Sequence, residues 1–361
     1  MTPKKPLRFA AAVTQWQCHH GRRDLPWQID PSPYQVWVSE VMLQQTQVMT
    51  VIPYFQRFMM AFPDIPSLAE TSLEALLGLW AGLGYYARAR HLHQTARILV
   101  SQRGGQLPAN LEQLAALPGI GRSTAGAILS LGMGQSAPIL DGNVRRVLCR
   151  IFAIDGWPGQ GLVQRRLWRL ATRLTPALDA RGYNQGMMDL GSLVCTRTAP
   201  QCSNCPLQTL CRAHARRAQN RYPVARPRAP RPVREAWFLL VRSQGQVLLR
   251  RRPPTGLWGG LWSLPECHAA SSLEDLCRQL TGHDPQGLEF LPVRTHDFTH
   301  YRLRFTVVLT SVPALLKTPL DSDLAWHPWA SPPAGMPAPL TQLWHDLFPS
   351  PLTPRFLSYP S

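Results

Sequence analysis

The stretch YPVARPRAPRPVR, residues 222–234, limits the fold more than any other part of the chain. Its four prolines fix φ and remove backbone donors, so neither a helix nor a central strand runs comfortably through it. Its four arginines keep it solvated, and it reads as an extended basic linker. The chain therefore divides into a region 1–221 and a region 235–361. With 361 residues and 45% apolar content, each can bury a core.

The two regions differ in texture. Upstream the pattern is helical. In VWVSEVMLQQTQVMTVI, residues Val38, Val41, Met42, Val48, Met49 and Ile52 recur at helical spacing, and Pro53 is expected to open a second helix, PYFQRFMMAF. Asn110 is placed as an N-cap, with Gln113 three positions on. Downstream, EAWFLLV, GQVLLRRR, LWSLPE and RLRFTVVLT are short strand-like runs separated by turns, and LEDLCRQL is helical. The expectation is an all-α region followed by an α+β domain.

Charge narrows the function. The net charge is +17 and is concentrated upstream: 24 basic against 11 acidic residues up to position 225, 14 against 10 beyond. A polyanionic partner explains that asymmetry better than solubility does. No apolar run reaches membrane-spanning length, and the apolar stretch after MTPKK is too short for a secretory signal. A soluble intracellular protein with no membrane partner is expected.

Four of the eight cysteines cluster in CTRTAPQCSNCPLQTLC, where Cys195, Cys202, Cys205 and Cys211 are spaced C-x6-C-x2-C-x5-C. Nothing indicates export, which disfavours disulfides. Structural zinc also accepts four thiolates, but the uneven spacing is unlike paired C-x2-C knuckles. It suits a 4Fe–4S cluster, whose irons sit at separated corners.

LPGIGRSTAG, residues 117–126, puts a proline and two glycines in a tight turn before a small-residue helix. Gly119 and Gly121 let the backbone approach a ligand, and unpaired N–H groups from about Ser123 offer a seat for phosphate. Arg122 and Thr124 add contacts, and recognition through backbone is independent of base sequence. A plain helix–turn–helix packing corner is the alternative. In ILDGNVRRVLCRIF, Asp141 precedes a helix and reads as its N-cap. Glu40, in WVSEVML, reads by itself as a first-turn acid favoured by the helix dipole. Neither carboxylate is decisive alone.

Taken in order, LPW, SEVMLQQTQV, GLGYYARAR, LPGIGRSTAGAIL, ILDGNVRRV, NQGMMDLG and the four cysteines resemble the helix–hairpin–helix base-excision DNA glycosylases with an iron–sulfur loop. The details are similar to the adenine DNA glycosylase (MutY) family, which removes adenine mispaired with 8-oxoguanine. The resemblance implies a six-helix barrel module holding the hairpin (117–124), a second module carrying the cysteine loop (195–211), and an active site in the cleft between them. It implies a 4Fe–4S cofactor on Cys195, Cys202, Cys205 and Cys211. Glu40 resembles the catalytic acid and Asp141 the second carboxylate. Arg23, Trp27 and Gln185 match the adenine pocket, and Gln45 and Tyr85 match residues that wedge into the duplex.

Residues 235–361 resemble a Nudix fold. Gly260 and Glu266 match the start of the Nudix box, but Arg278 and Gln279 stand where adjacent glutamates would hold a metal. The resemblance therefore implies an 8-oxoguanine reader without hydrolysis, with Phe298, Thr299 and His300 of HDFTH as its recognition loop. The implied partner is double-stranded DNA carrying A opposite 8-oxoguanine or G, met by a monomer in the bacterial cytosol. Lyase members of the superfamily hold a lysine at the place of Ser123, whereas the only lysines here are Lys4, Lys5 and Lys317. A monofunctional hydrolase is thus expected. The competing expectations are an endonuclease III-like or thymine-mismatch glycosylase and, from another class, a non-enzymatic iron–sulfur DNA-binding regulator.

Overall fold

The structure, a computed structural model, describes residues 4–227, 230–253, 256–298, 301–314, 323–333 and 335–348. It has two units: Met1–Thr71 with Arg88–Arg228, and Ser72–Ala87 with Ala229–Ser361. The segment Ser72–Ala87 thus groups with the second unit and not with the helical region that surrounds it in sequence.

Helices run in the order α1 (Lys4–His20), α2 (Pro33–Leu43), α3 (Val48–Ala61), α4 (Ile65–Glu70), α5 (Leu73–Trp80), α6 (Ala87–Arg103), α7 (Leu111–Ala115) and α8 (Arg122–Ala127). They continue with α9 (Gly142–Phe152), α10 (Gly161–Leu174), α11 (Ala180–Asp189) and α12 (Arg212–Ala215). All but α5 belong wholly or mainly to the first unit. Wider π-type turns extend α8 through Gly132 and α11 through Val194.

Local chemistry explains most of the boundaries. Ser32 and Gln35 form a reciprocal capping box that starts α2, with Pro33 at its first position. Asn110 accepts from the N–H groups of Glu112 and Gln113 and starts α7. The helix expected to run unbroken to Ile52 is instead split. α2 stops at Leu43, Gln45 adopts a left-handed φ of 62°, and α3 begins at Val48. Pro53 does not open a helix but lies inside α3, where it forfeits only one bond near the helix start.

Buried apolar clusters hold the first unit together. Val36 of α2 packs with Ala127, Leu131 and Ile139 around α8. A larger core joins Phe9 and Val13 of α1 to Val147, Leu148 and Ile151 of α9, Leu167 of α10, Met187 of α11 and Leu207 of the cysteine loop. Tyr222, the first residue of the Pro/Arg stretch, is buried in this core, with its hydroxyl donating to Asp155 at 3.0 Å.

The second unit is a mixed sheet with β1 (Val233–Ser243), β2 (Gln246–Arg251), β3 (Trp262–Ser263), β4 (Glu266–Cys267), β5 (Glu289–Phe290), β6 (Arg294–Asp297), β7 (Arg302–Ser311) and β8 (Leu324–Pro328). The spine is β3-β2-β1-β7-β5, and β1 and β7 pair in parallel. Alternation along β1 sends Phe238 and Leu240 to one face, under Leu340 and Trp344 of α14 (Ala338–Leu347). Leu239 and Val241 face the other side, under Leu273 and Cys277 of α13 (Leu273–Thr281). The Pro/Arg stretch has become strand by Val233.

Candidate active site

α2 buries Tyr34, Val36, Trp37, Val38, Ser39, Val41 and Met42, and Glu40 is its single acid. The sequence suggested a first-turn acid, but Glu40 lies in the last turn of α2, where helix carbonyls disfavour an anion. Its carboxyl opens onto a cavity. Burial pushes that carboxyl up to about 8, and the negative charge of Asp141 adds to the rise.

Asp141 caps α9: its Oδ1 accepts from the Val144 N–H at 2.8 Å. One residue earlier, the Leu140 N–H donates to Ser123 Oγ at 3.1 Å, so the serine fastens the approach to Asp141. The Asp141 carboxyl is also raised overall, because burial outweighs the N–H groups of Val144 and Asn143 and the guanidiniums of Arg146 and Arg145, which offset only part of the rise. Glu40 has no such offset. Of the two, Glu40 is the group that keeps a proton.

Both carboxylates face one cavity of about 890 Å³ within the first unit. Arg23, Trp27, Gln45, Ser123, Thr124 and Gln185 line the same cavity, so eight of the candidate site residues read from the sequence converge on it. Trp27 is 7% exposed and meets Phe55 edge-on at 5.4 Å, which makes it wall and core at once. A cavity of this size has the dimensions of a small-molecule or base pocket.

The sequence profile described as HhH-GPD superfamily base excision DNA repair protein matches residues 38–173, and that of a NUDIX domain matches 236–346. The adenine DNA glycosylase of Buchnera aphidicola subsp. Acyrthosiphon pisum is 40% identical over 258 residues, covering 72% of this chain and 74% of that protein. That of Buchnera aphidicola subsp. Baizongia pistaciae is 33% identical over 345 residues, covering 93% and 96%. The chain belongs to the adenine DNA glycosylase family. Among solved structures, a thermostable thymine-DNA glycosylase matches with a TM-score of 0.54 and 27% identity, over 60% of this chain and 99% of that one.

In this adenine DNA glycosylase family member the hairpin reaches the cavity only through Ser123 and Thr124; Gly119, Gly121 and Arg122 are not part of its lining. Gly119 has φ 75°, and an added Cβ would meet His91 Cβ at 2.6 Å, so glycine is required there twice over. Gly121 is different. Its φ of −85° suits any residue and the space around it is open, which leaves the backbone approachable. α8 begins at Arg122, whose guanidinium stacks on Trp168 at 4.2 Å.

Tyr85 is 47% exposed at a left-handed φ of 50° and belongs to the second unit. Arg88, in the same GLGYYARAR motif, is buried. It donates to the carbonyls of Val41 (3.1 Å), Met42 (2.6 Å) and Gln44 (2.5 Å), closing the C-terminus of α2. Phe298 stacks on Tyr301 at 4.8 Å and lies near Trp258 at 6.2 Å, between β6 and β7. Thr299 and His300 lie outside the described residues. Glu266 pairs with Arg252 at 2.6 Å, and Arg278 pairs with Asp275 and Asp284.

Cys195, Cys202, Cys205 and Cys211 are half-buried around one small cavity that Arg150 and Gln219 also line. Burial, together with the neighbouring sulfurs, pushes the Cys205 thiol up to about 12 and raises Cys211 as well. Such a group ionises together only around a cation, so the donor set suits a metal core. Among the described residues, no three such side chains close to the spacing of a single-ion site. Arg150, 2% exposed, donates to Cys195 Sγ at 3.3 Å and otherwise to main-chain carbonyls. A buried cation of that kind favours anionic sulfur beside it. The residues fit an iron–sulfur cluster.

Sequence reasoning missed Gln28, Arg145 and Asp189. Gln28 lines the cavity with both amide atoms buried and unpartnered, and Arg145 lines it with Nε in the same condition. Asp189, wholly buried, accepts from Arg22 and Gln185. Gln28 adjoins Trp27, and Arg145 and Asp189 lie within the motifs ILDGNVRRV and NQGMMDLG, but no spacing singled any of them out.

Proposed function

We propose that the chain is a monofunctional DNA glycosylase that hydrolyses the N-glycosidic bond of adenine mispaired with 8-oxoguanine or guanine in double-stranded DNA. The observation that carries this reading is the pair of carboxylates on one cavity, with the proton held by Glu40. The adenine leaves the stack and enters the cavity, where Trp27 covers its face and Arg23, Gln28 and Gln185 meet its edge. Glu40 gives its proton to a ring nitrogen as the glycosidic bond breaks, and the bonding pair leaves with the base. Asp141, whose N–H donors and arginines offset part of the effect of burial and favour its anion, stabilises the oxocarbenium sugar. Glu40, now a carboxylate, takes a proton from the water that bonds to the anomeric carbon.

Gln45 and Tyr85, both in left-handed conformations at the ends of turns, are assigned to wedging into the duplex. Gly119, Gly121, Arg122 and Ser123 seat a phosphate. Phe298, Thr299 and His300 read 8-oxoguanine. Cys195, Cys202, Cys205 and Cys211 would hold a 4Fe–4S cluster, which when bound ties the 195–211 loop together. The protein works as a monomer on DNA in the cytoplasm; among the described residues no helix is long and apolar enough to cross a membrane. The test is incubation with duplexes carrying A opposite 8-oxoguanine, A opposite G, T opposite G, and thymine glycol. Free adenine and an uncut strand are expected; release of thymine or of the oxidised pyrimidine instead would overturn the reading.

A further inference from the structure

The amide of Gln185 has two ends with opposite hydrogen-bonding character, and the structure commits one of them. Gln185 Nε2 donates to Asp189 Oδ1 at 3.1 Å. Asp189 is wholly buried, and the rest of its capacity is taken by Arg22: Nε at 2.8 Å and Nη2 at 2.6 Å on Oδ1, and the backbone N–H at 2.9 Å on Oδ2. A carboxylate paired with a guanidinium only accepts. The NH₂ end of Gln185 must therefore face Asp189, and the carbonyl end is left for the cavity that Gln185 lines.

We infer that Asp189 is a positioning residue for base selection, fixing Gln185 as a hydrogen-bond acceptor so that the cavity takes a base with an exocyclic amine and rejects a 6-oxopurine. The inference rests on the adenine-excision reading above. Adenine offers N6–H to Gln185 Oε1. Hypoxanthine, of nearly the same shape, offers O6, so two acceptors meet and neither is satisfied. Rejection of a base that leaves buried polar groups unpaired is worth far more than rejection on shape alone. Arg22 secures the arrangement from α1's end of the chain, while Asp189 and Gln185 sit one helical turn apart on α11.

Asp189→Asn removes the constraint, because the new amide can donate toward Gln185 and let its NH₂ end turn into the cavity. The measurement is the ratio of single-turnover excision rates for adenine and hypoxanthine opposite 8-oxoguanine. The wild type should prefer adenine, and Asp189→Asn should lower that preference by about tenfold or more. In a Gln185→Leu background the same change should leave the preference unaltered, as expected of a residue that acts through Gln185. Arg22→Lys, which keeps a cation beside the carboxylate, should lower the melting temperature but not the preference. If Asp189→Asn does not fold, Asp189→Ser, whose hydroxyl can donate or accept, should give the same loss of preference. An unchanged preference in the Asp189 variants overturns the inference alone. Failure of the wild type to excise adenine at all overturns the functional reading beneath it.

Discussion

Glu40→Gln should make the protein more stable at neutral pH while disabling it. The Glu40 carboxyl rises from an ordinary 4.5 to about 8 in the folded chain, chiefly through burial. Between those values the unfolded chain releases its proton and the folded chain does not. Stability is therefore untouched below 4.5 and falls as pH rises, at about 1.4 kcal/mol per pH unit. By pH 7 about 3 kcal/mol has gone, and the loss levels off above pH 8. The neutral amide of Gln, nearly the same shape, escapes this penalty. For a region of this size the variant should melt about 6–12 °C above the wild type at pH 7. Calorimetric melts at pH 4.5, 6, 7 and 8.5 should show a gap that opens from near zero and then stops growing. A pH-independent gap, or a variant less stable than the wild type at pH 7.5, would refute the claim that burial holds the proton on Glu40.

Three further outcomes are expected. Ser123→Lys places an amine at the start of α8, on the cavity that Asp141 faces, and should give borohydride trapping and strand cleavage that the wild type lacks. It should also destabilise by about 1–3 kcal/mol, because the Leu140 N–H loses its acceptor, and equal trapping by both proteins would show that Ser123 is not the discriminating position. Anaerobically purified protein should be yellow-brown with about four irons per chain, whereas one zinc and no colour would make the cysteine loop a zinc site. Phe298→Ala should narrow the rate difference between A opposite 8-oxoguanine and A opposite G; an unchanged difference would remove Phe298 from recognition of the damaged base.

The legible parts of this molecule are those fixed by neighbours in sequence. Asn110 and Asp141 declare themselves as caps because a cap bonds two or three residues ahead. The strands of the second unit show through alternation, and Gly119 through its turn. The break between α2 and α3 was hidden because Gln45 is not a turn residue, and Arg88, more than forty positions away, closes α2 there. The same break puts Glu40 at the end of its helix, which changes its electrostatics. Asp189 was invisible for a related reason: its partner Arg22 lies 167 positions away. Nor does any local pattern assign Ser72–Ala87 to the second unit.

The central claim is that Glu40 is the acid that lets adenine leave. It is tested most directly by single-turnover excision at pH 7 on a duplex carrying A opposite 8-oxoguanine, wild type against Glu40→Gln, with duplex binding measured alongside. The account predicts retained binding and an excision rate lower by about 10² to 10⁴-fold, because an amide cannot give up the proton. Excision by Glu40→Gln within about threefold of the wild type would contradict it.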